Sequence, residues 1–233
     1  MENFLKDDLT IIIPVREGST RVKDKIYLEI EDGVSLLEWK ISELLNYRKD
    51  LNILISSNSE NVKAVAQNLG VGYHERDSYL CKGHIASFSE VITGIVKDID
   101  TKHFAWCTVV VPFMSKSMFQ QCFEDYFNNV IKNNSHDSLV SVNLLKEYFW
   151  LDDKPLNYKA DKNHTISQEL PDIFKVTNGL YMRDKISTLH EGYFLGPKPY
   201  KSLLPKVAGI DIDEYEDFEF AKAMLPIYKE TYR

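Results

Sequence analysis

The 233-residue chain carries 35 acidic against 28 basic side chains, a net charge of −7 that excludes the broadly basic face of a nucleic-acid binder. Apolar residues make up 44%, enough for the core of one large α/β domain or a domain with a small appendage, and no apolar run reaches bilayer-spanning length. Three cysteines without a CxxC pair (Cys81, Cys107, Cys122) and an opening MENFLKDD unlike a signal peptide lead to the expectation of a soluble cytoplasmic protein with reduced thiols.

Residues 9–13 (LTIII) are a continuous β-branched run, too short for a buried helix, and predict a strand buried on both faces that Pro14 ends. A polar loop to Lys25 follows, with Gly18, Ser19 and four cations, Arg16, Arg21, Lys23 and Lys25, set against Glu17 and Asp24. A buried strand opening into a cationic Gly-Ser loop is how α/β folds cradle phosphates, with Arg16, Ser19 and Lys25 as donors and Gly18 giving close approach; a solvated charged turn is the other reading. The stretch matches neither a P-loop nor the dinucleotide fingerprint.

Ser35-Leu36-Leu37-Glu38 predicts a capping box and a helix; 52–56 predicts a strand; Ser59 and Gly70 bracket a second helix. Residues 71–73 predict a short strand and 75–83 a loop holding Arg76. Ser87 opens a helix to residue 99, residues 103–111 predict the most apolar strand, and Ser117 caps the next helix. Residues 137–144 predict another strand, and strand–helix alternation to this point predicts a mostly parallel, three-layer sheet with right-handed crossovers. From 147 the pattern becomes aromatic and Asn/Asp/Pro-rich, so 147–175 is expected to be a projecting arm packing on another subunit, while 1–146 and 176–233 form the core. Strands are predicted at 177–182 and 207–213, and a last helix carries Phe218, Ala221 and Leu225.

Ile210-Asp211-Ile212-Asp213 is the second chemical signal: on a strand both carboxylates share a face, and such a pair suits a hard cation such as Mg²⁺. Its alternative is an acidic start to the following helix, Asp213 capping with Glu216 three residues on. Ser87-x-x-Glu90 is itself a capping box, the histidines form no metal spacing, and Asn178-Gly179 reads equally as a turn or as an Asn meeting an acceptor.

In order, these pieces resemble the cytidylyltransferases typified by CMP-sialic acid and CMP-Kdo synthetases. The family's P-A-R-x-G-S-x-x-x-x-x-K is matched by Pro14, Arg16, Gly18, Ser19 and Lys25, with Val15 for Ala. Its V-S-T-D-S-E-x-I segment is similar to 55–62, its R-P-x-x-L-A to 76–81, its D-S-V-V-S-V to 137–142, its Q-E-L-P and N-G motifs to 168–171 and 178–179, and its S-I-D-I-D to 209–213. The resemblance implies a Rossmann-like, GT-A-like nucleotidyltransferase core and a homodimer built through the arm. It also implies CTP held by Arg16, Gly18, Ser19 and Lys25, cytidine facing Arg76, Ala86 and Ser87, and Mg²⁺ on Asp211 and Asp213. Lys25, Arg16 and Asp211 would carry the chemistry: transfer of CMP to an acceptor with loss of pyrophosphate, for surface-polysaccharide precursors.

The chain departs from the family where Q-P-T-S-P-x-R is replaced by residues 111–116, which keep only Pro112, and where Ile26 and His84 replace an Asn and an Asp. An acidic or phosphorylated acceptor other than sialic acid is therefore expected, such as a phosphorylated amino-acid derivative like phosphoglutamine, with Lys159, Lys162, His164 and Ser167 of the arm supplying contacts; a sialic-type (nonulosonate) sugar is the alternative. A GT-A glycosyltransferase and a non-catalytic homologue are the competing classes.

Overall fold

A computed structural model describes residues 1–19, 21–83 and 85–233; His84, one of the departures above, lies outside them. The first strand, β1 (Leu9–Pro14), is followed by a 3-10 turn at Lys25–Tyr27 and a small hairpin of β2 (Glu29–Glu31) and β3 (Val34–Ser35). Helix α1 (Leu36–Tyr47) starts on the predicted capping box, Ser35 Oγ accepting from Glu38 N at 3.2 Å while Glu38 Oε2 accepts from Ser35 N at 2.9 Å. Then come β4 (Ile53–Ser57), α2 (Glu60–Leu69) closed by Gly70 in the left-handed region, and β5 (Gly72–Glu75). The turn α3 (Ser78–Cys81), α4 (Phe88–Val96), β6 (His103–Cys107), α5 (Lys116–Tyr126) and β7 (Ser138–Leu145) follow. The hairpin β8 (Trp150–Leu151) and β9 (Lys154–Pro155) stands apart, and the chain returns through β10 (Ile173–Asp184), α6 (Lys185–Glu191), β11 (Pro199–Leu203) and α7 (Tyr215–Tyr232).

Seven strands form one sheet in the order β11-β7-β10-β6-β1-β4-β5, all parallel except β10, which runs against both neighbours. Period-two alternation divides the core between the two faces. Ile11, Ile13, Ala105 and Cys107 pack toward α1, α2, α5 and α7. Ile12, Phe104 and Trp106 pack toward α4 and Phe194. Both faces are covered, so this is the expected three-layer α/β architecture.

Several predicted boundaries move. The strand expected at 103–111 leaves the sheet after Cys107, because β1 pairs with it only as far as Ile12 opposite Trp106 and β10 begins a bulge beyond Leu180. Residues 111–115 are buried instead as a packed segment, with Pro112 O accepting from Trp39 Nε1 at 2.9 Å and Val111 O from Lys40 Nζ at 2.5 Å. Helix α5 begins two residues earlier than Ser117 implied, with Ser115 at the cap position. Residues 207–213 form no strand: a 3-10 turn at Lys206–Gly209 leads into extended chain tied to the body by Ile212 N to Val110 O at 2.9 Å. The arm expected at 147–175 overlaps β10, which has already entered the sheet at Ile173, and Leu170 is buried.

Candidate active site

A cavity of about 760 Å³ opens at the carboxyl ends of β1, β5 and β6, the end at which open parallel sheets bind ligands. Arg16, Ser19, Arg21 and Lys25 enter from the loop after β1, Arg76 from the end of β5, and Asp211 and Asp213 from the extended chain before α7. Lys82, Gly83 and Ala86 line the mouth, Thr108, Val109 and Val110 the floor, and Phe88, Trp106, Tyr181, Tyr193 and Phe194 an aromatic wall. Of the residues nominated from sequence, Gly18 and Ser87 are absent from the lining. Gly18 takes a φ of +79°, which bends the loop. Ser87 is committed to its capping box, Oγ donating to Glu90 Oε2 at 2.7 Å and accepting from Glu90 N at 3.2 Å.

Glu17 does not oppose the loop's cations on the cavity side. Counted against them in the sequence, it turns away: its Oε1 accepts from Ser59 Oγ at 2.6 Å and Tyr27 Oη at 2.7 Å. Those bonds hold its carboxyl below the usual range. The Arg16 guanidinium lies against Gly83, where a Cβ would collide with it.

Lys25 is buried, its Nζ donating to Ile212 O at 2.5 Å and Asp213 O at 3.2 Å, with Asp213 Oδ1 at 3.9 Å. Burial pushes its ammonium below the ordinary lysine range, and the Asp213 charge opposes that. Arg21 pairs with Asp213 Oδ1 at 2.6 Å and reaches Glu214 at 3.6 Å, so the loop and the acidic segment before α7 are joined by charge at the cavity's edge. Asp213 does not cap α7; that role falls to Glu214, and Asp217 Oδ2 accepts from the backbone N of Asp213 at 2.9 Å and of Glu214 at 2.7 Å. The alternative capping role for Asp213 is thereby corrected.

Asp211 is half-buried, and burial together with the charge of Asp213 pushes its carboxyl above the usual range. Its Oδ2 accepts from Asn178 Nδ2 at 2.9 Å, whereas its Oδ1 is buried without a partner among the described residues. A buried carboxylate oxygen is costly unless something pairs with it, and a divalent cation is the natural partner. Among the described residues no three His, Cys, Asp or Glu side chains gather as a metal cage. Two carboxylates are what Mg²⁺ takes when waters and phosphates complete its octahedron, so the pair fits that ion.

Arg76, expected to face cytidine, lines the cavity and also has a structural role. Its guanidinium is buried, donating to Val15 O and, through Nε, to Cys81 Sγ at 3.0 Å. It touches the cavity but is occupied in tying the end of β5 to the end of β1.

A profile of the family described as cytidylyltransferase matches residues 10–222. The chain belongs to the cytidylyltransferase family. It is an enzyme of the nucleotidyltransferase class, with the core layout that the motif resemblance implied. It is similar to a pseudaminic acid cytidylyltransferase of Campylobacter jejuni, 24% identical over 94% of this chain and 97% of that one. It is also similar to an N-acylneuraminate cytidylyltransferase of Escherichia coli O18:K1:H7, 23% identical over 93% of this chain and 52% of the longer relative. Among solved structures, a CMP:2-keto-3-deoxy-manno-octonic acid synthetase complexed with CTP superposes with a TM-score of 0.65 at 11% identity, over 95% of this chain and 99% of that chain. A 4-diphosphocytidyl-2C-methyl-D-erythritol synthase from Anaerococcus prevotii does so with 0.65 at 15% identity, over 94% and 96%. The last two show likeness of fold.

Sequence reasoning left several lining residues without a role. Arg21 appeared only as one of four loop cations, and nothing local marks it as the partner of Asp213. The aromatic wall collects Phe88 from α4, Trp106 from β6, Tyr181 from β10 and Tyr193 and Phe194 from the segment after α6, separated by too much sequence for a motif. Val111 to Lys116, where the acceptor was expected to be chosen, is core up to Ser115, and the floor consists of the three residues before it. Lys159, Lys162, His164 and Ser167 do not line their own chain's cavity; the His164 ring packs on Tyr148, centroids 5.0 Å apart.

Proposed function

We propose that the cavity binds CTP with Mg²⁺ and transfers CMP to a small acidic acceptor, releasing pyrophosphate. The observation that carries the reading is the Oδ1 of Asp211, without a partner among the described residues, in a cavity it shares with Arg16, Ser19 and Lys25. Asp211 and Asp213 would hold the ion, which when bound neutralises phosphate charge. Arg16, Lys25 and Ser19 bind and orient the triphosphate by charge-assisted hydrogen bonds. An acceptor oxygen attacks the α-phosphorus, the bond from that phosphorus to the bridging oxygen breaks, and pyrophosphate leaves with the electron pair. Positioning and electrostatic stabilisation supply most of the acceleration in such transfers.

The aromatic wall supports a sugar-like acceptor, since ring faces pack against apolar sugar faces, and Lys82 at the mouth supports an anionic one. The relatives named for pseudaminic acid and N-acylneuraminate point the same way. A phosphorylated amino-acid derivative such as phosphoglutamine is the second acceptor class, supported by the same Lys82 and Arg16 charges. Surface-polysaccharide precursor synthesis is the setting such products suit. Incubation with CTP, Mg²⁺ and a panel of 2-keto sugar acids and phosphorylated small molecules is expected to release pyrophosphate and yield a CMP conjugate. Release of a nucleoside diphosphate from a sugar nucleotide would instead make the protein a glycosyltransferase.

The arm is read as a pairing surface between two copies. Trp150, Leu151 and Leu156 expose more than half of their surface there, beside Tyr148. Light scattering is expected to give a dimer mass, and Trp150→Asp with Leu151→Asp a monomer; a monomeric parent protein would remove this role.

A further inference from the structure

We propose that Asn178 and Tyr181 form a positioning relay that sets the rotation of the Asp211 carboxylate. The proposal rests on the reading of Asp211 as a metal carboxylate. Tyr181 Oη donates to Asn178 Oδ1 at 2.6 Å, and Asn178 Nδ2 donates to Asp211 Oδ2 at 2.9 Å. The direction of this chain is fixed by chemistry. A carboxylate accepts only, so the amide must offer it Nδ2; the amide oxygen then faces Tyr181, whose hydroxyl must donate. With Oδ2 anchored from one side, Oδ1 is the oxygen left without a partner among the described residues.

The backbone is built to present Asn178 there. β10 shifts register between Val176 and Tyr181, and within that bulge Asn178 sits at φ +58°. Asparagine tolerates the left-handed region better than most residues, but it is still an uncommon conformation that its surroundings must hold. Thr108 Oγ1 donates to Asn178 O at 2.6 Å, Gly179 N donates to Thr177 Oγ1 at 3.3 Å, and Thr177 Oγ1 and Ser141 Oγ lie 2.6 Å apart. Gly179 lets the chain press down on the floor, where a Cβ would stand 2.6 Å from Met114 Sδ. Bulges of this kind re-aim a side chain beside a site. At the far end, the Tyr181 ring lies on Phe194, centroids 4.1 Å apart, which fixes where its hydroxyl points. The relay therefore joins the aromatic wall to the acidic end of the cavity.

Groups that orient a ligating carboxylate typically change metal affinity by about 10- to 100-fold when removed. Mn²⁺ binding to the CTP-saturated protein, read by electron paramagnetic resonance, tests the relay without turnover. Tyr181→Phe keeps the ring and its packing and is expected to weaken Mn²⁺ about 10-fold; Asn178→Ala is expected to weaken it at least as much. CTP affinity without metal, read by calorimetry, should match the parent protein in Tyr181→Phe. Parental Mn²⁺ affinity in both variants, with binding lost in Asp211→Asn, would overturn the relay and leave the Asp211 reading intact. Loss of metal-free CTP affinity in Tyr181→Phe would also overturn it, by showing that the hydroxyl shapes the cavity as a whole. Parental Mn²⁺ affinity in Asp211→Asn would overturn the Asp211 reading and the relay with it.

Discussion

Replacing Lys25 by methionine is expected to lower kcat/KM for CTP by about 10²- to 10³-fold, the loss typical for removing one preorganised electrostatic donor. Lys25 is the most committed cation of the cavity. Its amine is buried against Ile212 O and Asp213 O, so it costs nothing to reorganise when phosphates arrive. Arg16 and Arg21 are exposed, Arg21 already pairs with Asp213, and neither can replace a charge fixed among the backbone carbonyls of Ile212 and Asp213. The fold gains two bonds to carbonyls from this ammonium, against the burial that pushes it below the ordinary lysine range. Methionine has a similar length and no charge to desolvate but leaves Ile212 O and Asp213 O without their donor, so the thermal midpoint is expected to fall by roughly 2–4 °C, the shift that about 1 kcal/mol produces in a domain of this size. Pyrophosphate release with CTP varied, beside a melting curve, checks both parts. Turnover within about threefold of the parent enzyme would show that the loop after β1 does not grip the triphosphate.

What the sequence disclosed was what short-range physics dictates. Residues 9–13 are buried on both faces, as their unbroken apolar run requires, and Ser35, Ser59 and Ser87 all cap helices because their side chains reach the N–H three residues on. What it withheld depends on neighbours in space. Residues 108–111 are as strand-like as 103–107, and only the limits of β1 and β10 decide that the ladder stops at Cys107. The same applies to Asp211 and Asp213. They face one cavity as an alternating pattern predicts, yet on extended chain outside the sheet, because Lys25 holds the two carbonyls at that turn. Arg76 shows a role the sequence does not disclose. A lone arginine in a polar loop reads as a ligand contact, and only burial and the carbonyl of Val15 show that it also ties the strand ends together. β11 and α6 went unpredicted because both are short and carry weak periodicity; β11 is a strand because β7 offers it an edge.

Asp211→Asn separates the roles of the two carboxylates and is expected to reduce kcat by about 10³-fold, several kcal/mol of lost charge stabilisation at the reacting phosphates. The substitution is isosteric, and Asn178 can still donate to the new amide oxygen, so geometry is preserved while the charge is lost. Asp213→Asn should cost less. Asp213 is exposed by half and already pairs with Arg21, whereas Asp211 Oδ1 is buried with no hydrogen-bond partner among the described residues. Stability should move the other way. An acid held above its usual pKa by burial and by a neighbouring carboxylate is a charge the fold would do better without. Asp211→Asn is therefore expected to raise the thermal midpoint by roughly 2–4 °C, the shift that about 1 kcal/mol produces in a domain of this size. Opposite signs in the two measurements are the mark of a residue kept for chemistry at the expense of stability. A variant less active and also less stable would show Asp211 to be a structural acid whose partner is protein, and equal losses from Asp211→Asn and Asp213→Asn would remove the distinction between a free carboxylate oxygen and an ion-paired one.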